Sequence, residues 1–374
     1  MVGSPRTRRP GQGFRSGVGV VSGFALRLMR ESVGLTQAGF AELVERDLAT
    51  VQGWESGRRP LTALRASDLS RLRAKLVTRG ASPTAFAALR DCLDADLLIT
   101  SAVETGESVT SAVEHPLALA VHRRDFTNLV TWPFTGETPS RLAGLGPPAA
   151  RRGPAPDRPV LGAEVRERFF NHLLAVADRF RGEAHAVLRR QAIYLLGFDV
   201  REPTRQWLRE EQHVALRAAG RFDNVPSWVA VRSSAVALAQ DGDPEPLAAF
   251  VARGLGDDDQ NTANVNYWAY WVGEIADTQV DDRFMTEVPK RPWSGALLLE
   301  HLVPRVREGS PHLALNAHTL WALILSRPRV LEEQPHLRTQ VGHQVERVLD
   351  TPDLDPAAKQ QLAGVAYAVR LARG

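Results

Sequence analysis

Between Leu35 and Pro60 the chain reads LTQAGFAELVERDLATVQGWESGRRP, and few local structures accept that string. Two short apolar helices are separated by a polar break that leaves room only for a tight turn. Gln37, Ala41, Glu45 and Val51 stand at spacings of 4, 4 and 6. A polar side chain opens the first helix, and a small residue one turn later lets two helices approach closely. A β-branched residue then anchors the second helix in a core. Thr36 precedes Gln37 as an N-cap, and Asp47 precedes Leu48 in the same role. Phe40, Leu43 and Val44 supply the buried stripe of the first helix, Val51 and Trp54 that of the second. Gly57 stops the second helix as a C′ glycine. Glu45 occupies the turn, where a left-handed backbone costs a residue other than glycine about 1 kcal/mol.

Over about residues 22–76 this pattern resembles the Cro/cI-like (XRE-family) helix-turn-helix transcriptional regulators. The resemblance implies a lambda-repressor-like DNA-binding domain and an operator of double-stranded DNA. It implies that Thr36, Gln37, Arg58 and Arg59 hold phosphates, while Leu48, Ala49, Thr50, Gln52 and Gly53 meet the groove. Only Gln52 among these offers the paired donor and acceptor that suits adenine, and Leu48 and Ala49 reach at most a thymine methyl. Backbone contacts and DNA shape are therefore expected to carry much of the discrimination. The family binds as a dimer on half-sites about one helical turn apart, so a homodimer is expected.

Charge agrees with such a partner. Residues 1–90 hold 15 Lys and Arg against 6 Asp and Glu, a net of +9, whereas residues 91–374 hold 31 against 37, a net of −6. A basic head on an acidic body suits a protein that grips nucleic acid at one end. Arginine exceeds lysine because only Lys75, Lys290 and Lys359 are lysines, a bias that does not explain the reversal of sign.

Either side of the motif, residues 1–21 are rich in Gly, Pro and Arg and read as a disordered basic arm. A first helix is expected over Gly23–Ser32, capped by Ser22, and a fourth over Leu64–Val77. Residues 81–135 read as a helical extension with helices from Pro83 to about Val103 and from about Pro116. The six prolines of 136–159 predict a linker and a domain boundary. Residues 160–374 read as helices throughout, with starts near Ala163, Glu183, Thr204, Pro226, Pro244, Asn261, Trp293, Pro311, Pro335 and Pro356. The fold class expected is all-α, the C-terminal part a multi-helical array, an α-solenoid of tetratricopeptide-like type.

The most unusual helix is NTANVNYWAYWVGEI, from Asn261 to Ile275. Its aromatic stripe fits core packing better than ligand binding. The functional reading makes Asn264, Asn266, Tyr270 and Glu274, joined by Asn316, His318 and Trp321, a pocket for a small-molecule or peptide effector. Catalytic residues are not expected. The chain lacks a Gly-x-Ser-x-Gly elbow, a Walker loop, a His-Glu-x-x-His pair and a glycine-rich dinucleotide loop. Asp257, Asp258 and Asp259 read as a solvated loop with an N-cap. His115 and His122 lack a third metal ligand, and no cofactor is called for. Cys92, the only cysteine, reads as a core thiol and suits a reducing cytoplasm. No apolar run reaches the ~20 residues a bilayer needs.

The expected function is thus a cytoplasmic, bacterial-type, sequence-specific transcriptional regulator whose helical body dimerises or binds an effector. The rival is a helical interaction protein that captures a protein or peptide, its DNA module serving only autoregulation.

Overall fold

A computed structural model describes residues 18–146, 156–219, 225–352 and 354–372. The described residues are all-α, with turns and short 3₁₀ segments between the helices and no strand among them. The basic arm falls almost wholly outside the described residues. They form two compact units, each discontinuous in sequence: one within 1–100 and 132–166, the other within 101–131 and 167–374.

The first unit contains α1 (Val20–Ser32), α2 (Gln37–Val44), α3 (Leu48–Glu55), α4 (Ala66–Val77) and most of α5 (Pro83–Thr105). It also takes the end of α6 (Arg124–Thr135) and the short α7 (Ser140–Ala143). Helix α1 starts three residues before the expected Gly23, and Ser22 is not its cap. The Asp96 carboxylate of α5 instead accepts from the backbone N–H of Val21 (3.0 Å) and Ser22 (2.9 Å) and from Ser22 Oγ (2.5 Å). A distant carboxylate thus satisfies the orphan donors of α1 and carries α5 into this unit. Phe24 packs edge-on against Trp132 with ring centroids 5.2 Å apart.

The segment read as a linker is partly built into the same unit. Leu142 of α7 is buried, and Arg141 pairs with Asp91 at 2.7 Å. Arg27 donates to the Pro156 carbonyl at 2.9 Å. Residues 147–155, the rest of that expected boundary, lie outside the described residues.

The second unit contains most of α8 (Ala163–Arg179), then α9 (Ala186–Leu196), α10 (Glu202–Ala219), α11 (Val225–Gln240) and α12 (Glu245–Gly254). It continues with α13 (Asp258–Trp271), α14 (Ala296–Leu302), α15 (Leu313–Ser326) and α16 (Val330–Glu333), and ends in α17 (Pro335–Leu349) and α18 (Pro356–Leu371). Two helices organise it. α11 touches α9, α10 and α12, and α15 touches α12, α13, α14 and α18. Both are rich in small and aliphatic residues and buried on most sides, as a helix enclosed by others must be, with Trp228 and Arg232 in α11 and Asn316, His318 and Trp321 in α15 as the exceptions in kind.

Candidate functional site

In the first unit the turn-linked helices α2 and α3 are capped as their sequences demand. Thr36 Oγ1 accepts from Gly39 N at 3.0 Å, and Asp47 Oδ1 accepts from Thr50 N at 2.6 Å. Glu45 adopts φ 55° and ψ 47°, the only non-glycine positive φ among the described residues. Its exposed carboxylate meets Lys75 at 2.7 Å, and that ammonium holds its pKa below the usual carboxylate range.

A buried ion pair ties the motif together. Arg30 of α1 donates to Glu55 of α3 through Nε (2.5 Å) and Nη2 (3.0 Å), and both side chains are almost fully enclosed. Arg30 also donates to the Leu35 carbonyl at 2.6 Å, so one guanidinium fixes α1, the connection after it and α3. Burial opposes its charge while Glu55 and Glu31 favour it, and its pKa lies above the ordinary arginine value. Gln37 joins the same network, its amide donating to Glu55 Oε2 at 2.7 Å. That donor was expected to reach a phosphate and is used inside the motif instead.

Two further residues expected in the groove are turned inward. Thr50 is buried, its hydroxyl donating to Asp47 at 2.8 Å and accepting from Arg59 Nη1 at 2.5 Å. Gly53 is buried beneath the Arg59 side chain, whose Cδ would lie 2.9 Å from a Cβ placed there. The outward set on α3 is therefore Leu48, 43% exposed, with Ala49 and Gln52. Thr36, Arg58 and Arg59 are exposed, although Thr36 caps α2 and Arg59 also reaches Thr50, and Arg46 adds a further exposed guanidinium just before α3.

The seven residues expected to line an effector pocket are structural ties of the second unit. Asn264 donates to Thr319 Oγ1 (2.9 Å), and Asn266 to the Met285 carbonyl (2.9 Å). Tyr270 donates to the Val121 carbonyl (2.6 Å), and Asn316 to the Arg305 carbonyl (3.3 Å). Glu274 accepts from Gly295 N (2.6 Å) and Leu298 N (3.1 Å), capping α14. His318 lies between Asn261 (2.7 Å) and Gln361 (2.8 Å), and burial takes its pKa down to about 4. Trp321 packs against His318 and Gly364. The two stretches do meet, as α13 against α15, but they meet as packed core. Asp257 caps α13, accepting from Gln260 N at 2.8 Å.

A cavity does open on a neighbouring part of the second unit. Leu117, His122, Phe126, Thr127 and Val130 line it from before and within α6. Arg190, Gln191, Tyr194 and Leu195 come from α9, Arg232, Ser233 and Val236 from α11, and Tyr267 and Trp271 from α13. It is small, with a volume of about 30 Å³, space for one or two waters. Gln191 holds one wall, accepting from His122 N (2.6 Å) and donating to the Leu117 (2.6 Å) and Ala120 (3.0 Å) carbonyls. Burial, then the charge of Arg190, takes the His122 pKa down to about 4, so this ring is neutral at pH 7. The aromatic helix thus reaches a cavity through Tyr267 and Trp271, not through the residues chosen from sequence. A local signal existed: Arg190 and Arg232 interrupt the apolar strings AVLRRQAIYLL and WVAVRSSAVALA.

His115 and His172 approach at 2.8 Å between Nε2 atoms, with His115 Nδ1 accepting from Leu117 N and His172 Nδ1 donating to the Gly106 carbonyl. This pair spends every ring nitrogen on the fold. Among the described residues no cluster of three or more His, Cys, Asp or Glu could hold a metal, and no helix is long and apolar enough to cross a membrane. No protein-family model, curated protein or solved structure matches the chain.

Proposed function

We propose that the chain is a sequence-specific DNA-binding transcriptional regulator of bacterial type. Its first unit would serve as a lambda-repressor-like reading head, and its helical second unit would dimerise it, bind an effector, or do both. The observation that carries this reading is the outer face of α3. Leu48, Ala49 and Gln52 are exposed, with the exposed Arg46 just before that helix and Arg58 and Arg59 just after it. Helices of this kind read base edges in the major groove while flanking cations neutralise phosphates.

Because Gln37, Thr50 and Gly53 are engaged internally, the direct contacts reduce to Gln52 and the apolar Leu48 and Ala49. Such a head relies on phosphate contacts and DNA shape more than on base hydrogen bonds.

The test is selection of duplexes from a random pool by the full-length chain, followed by binding at graded salt. The expected result is a two-fold-related site with half-sites about one helical turn apart, and affinity falling steeply with salt. Arg58→Ala should weaken all sequences alike, whereas Gln52→Ala should relax preference at one base pair per half-site. Absence of any enriched sequence, with binding indifferent to both substitutions, would overturn the reading.

A further inference from the structure

Arg232 is an unusual arginine. It sits in the middle of α11 at 7% exposure, and it has no carboxylate partner among the described residues. Its charge rests on ring faces, with Cζ 4.3 Å from the Tyr267 centroid and 5.6 Å from that of Trp268. Its Nε, fully enclosed, has no hydrogen-bond partner. A buried cation left without an anion is costly and is ordinarily removed or neutralised by its protein. Burial depresses its pKa and the charge of nearby Arg190 adds to that, while Tyr267 and Tyr194 oppose it.

Arg190 lines the same cavity from α9 at 6% exposure. It is neutralised by Asp282 at 2.6 Å, yet its Nε is also unpartnered. Among the lining residues only Arg190 and Arg232 are cationic, His122 being neutral at pH 7, so with Asp282 on Arg190 the lining keeps one positive charge in excess. The void beside them, about 30 Å³, is on the scale of a single carboxylate group. Phe126 and Trp271 line the same void and are themselves partly exposed, so they stand between the arginines and solvent.

We propose that this cavity binds a small organic monocarboxylate, its charged end held inside by the buried Arg232 and Arg190 and its apolar body outside the void, on the partly exposed faces of Phe126 and Trp271. Guanidinium forks suit a planar carboxylate, and a single excess charge favours a monoanion over a doubly charged phosphate. The site stands independently of the DNA-binding reading. It gives the effector part of that reading a chemical class, at residues other than those chosen from sequence.

The experiment is calorimetric titration of the full-length chain, at constant ionic strength, with formate, acetate, isovalerate, benzoate and phenylacetate. Benzamide serves as the neutral counterpart and phenyl phosphate as the dianionic one. The expected result is one site per chain, affinity rising with the apolar body, and at least tenfold weaker binding of benzamide and phenyl phosphate than of benzoate. Arg232→Gln should weaken benzoate at least tenfold, and Arg232→Lys should weaken it less. Thermal unfolding supplies a readout that a purely structural arginine would move the other way: Arg232→Met should raise the Tm of the ligand-free chain. If no carboxylate of the series binds, or benzamide equals benzoate, the proposal fails whether or not the variants fold. If phenyl phosphate binds tighter than benzoate, the charge argument fails and the carboxylate assignment with it. DNA binding is measured separately, so loss of one reading leaves the other standing.

Discussion

Gly23 of α1 lies directly against the backbone of α3: a methyl group at Gly23 would stand 2.2 Å from the Trp54 carbonyl oxygen. The neighbour is main chain within a helix, which cannot swing aside as a side chain can. The two helices therefore approach as closely as they do because position 23 has no Cβ. Gly23→Ala should cost about 3 kcal/mol or more in the first unit. Thermal unfolding followed by circular dichroism checks this, and loss of DNA binding should accompany it, since α3 must shift to admit the methyl group.

The Arg30–Glu55 pair is expected to be costly to break and cheaper to replace. Glu55→Ala leaves the Arg30 guanidinium buried without its carboxylate and should destabilise by roughly 3–5 kcal/mol. Arg30→Met combined with Glu55→Leu and Gln37→Leu should recover part of that loss, because apolar residues of similar size avoid desolvating two charges, while the Leu35 carbonyl still loses its donor. Urea unfolding of the two variants and the parent distinguishes a structural tie from a surface ion pair.

Glu45 holds the left-handed turn between α2 and α3 with a residue poorly suited to it. Glu45→Gly should raise the Tm of the first unit by about 1–3 °C, the relief of backbone strain exceeding the loss of the exposed contact to Lys75. Glu45→Ala keeps the strain and loses the contact, so it should not raise the Tm. Differential scanning calorimetry of the pair separates backbone from charge.

Asp96 gives the first unit a pH dependence of definite sign. Burial pushes its pKa up to about 7, the hydrogen bonds from Ser22 and Val21 opposing that rise. The folded chain keeps a proton that the unfolded chain releases at the ordinary carboxylate value of 3.8. Stability contributed by this group is thus full below about pH 4, falls as pH rises to about 7, and is constant beyond. Asp96→Asn removes the titration. The difference in unfolding free energy between parent and variant, followed from pH 4 to 8, should therefore slope through that window and level off above it.

Much of the helical framework was legible because its punctuation is chemical. Pro335 and Pro356 open α17 and α18 where a missing N–H costs nothing, and Asp355 caps the latter by accepting from Ala358 N at 3.0 Å. Thr36, Asp47 and Gly57 mark the ends of α2 and α3 by the same logic. The start of α1 was misread because its cap lies 74 residues away in sequence, on Asp96, and no local pattern reports a partner so distant. The groove residues were only partly legible for a related reason. Spacing puts Thr50 and Gly53 on α3, but only the fold of the following chain lays Arg59 across them. In the second unit the polar residues of α13 could be read as ligands because nothing in one helix reveals that Thr319, Met285 and Val121 already take their donors. The cavity was missed for the opposite reason: its charged residues come from separate helices, each carrying an arginine that reads alone as an oddity.

Cys92 is wholly enclosed within α5, and burial lifts its thiol pKa well above the ordinary value. As the sole cysteine of the chain it offers no thiolate to an alkylating reagent while the fold holds. A sulfhydryl introduced at an exposed position such as Gln52 would then be the only reactive one, so a single dye or spin label can be attached to the outer face of α3 without first removing any native group.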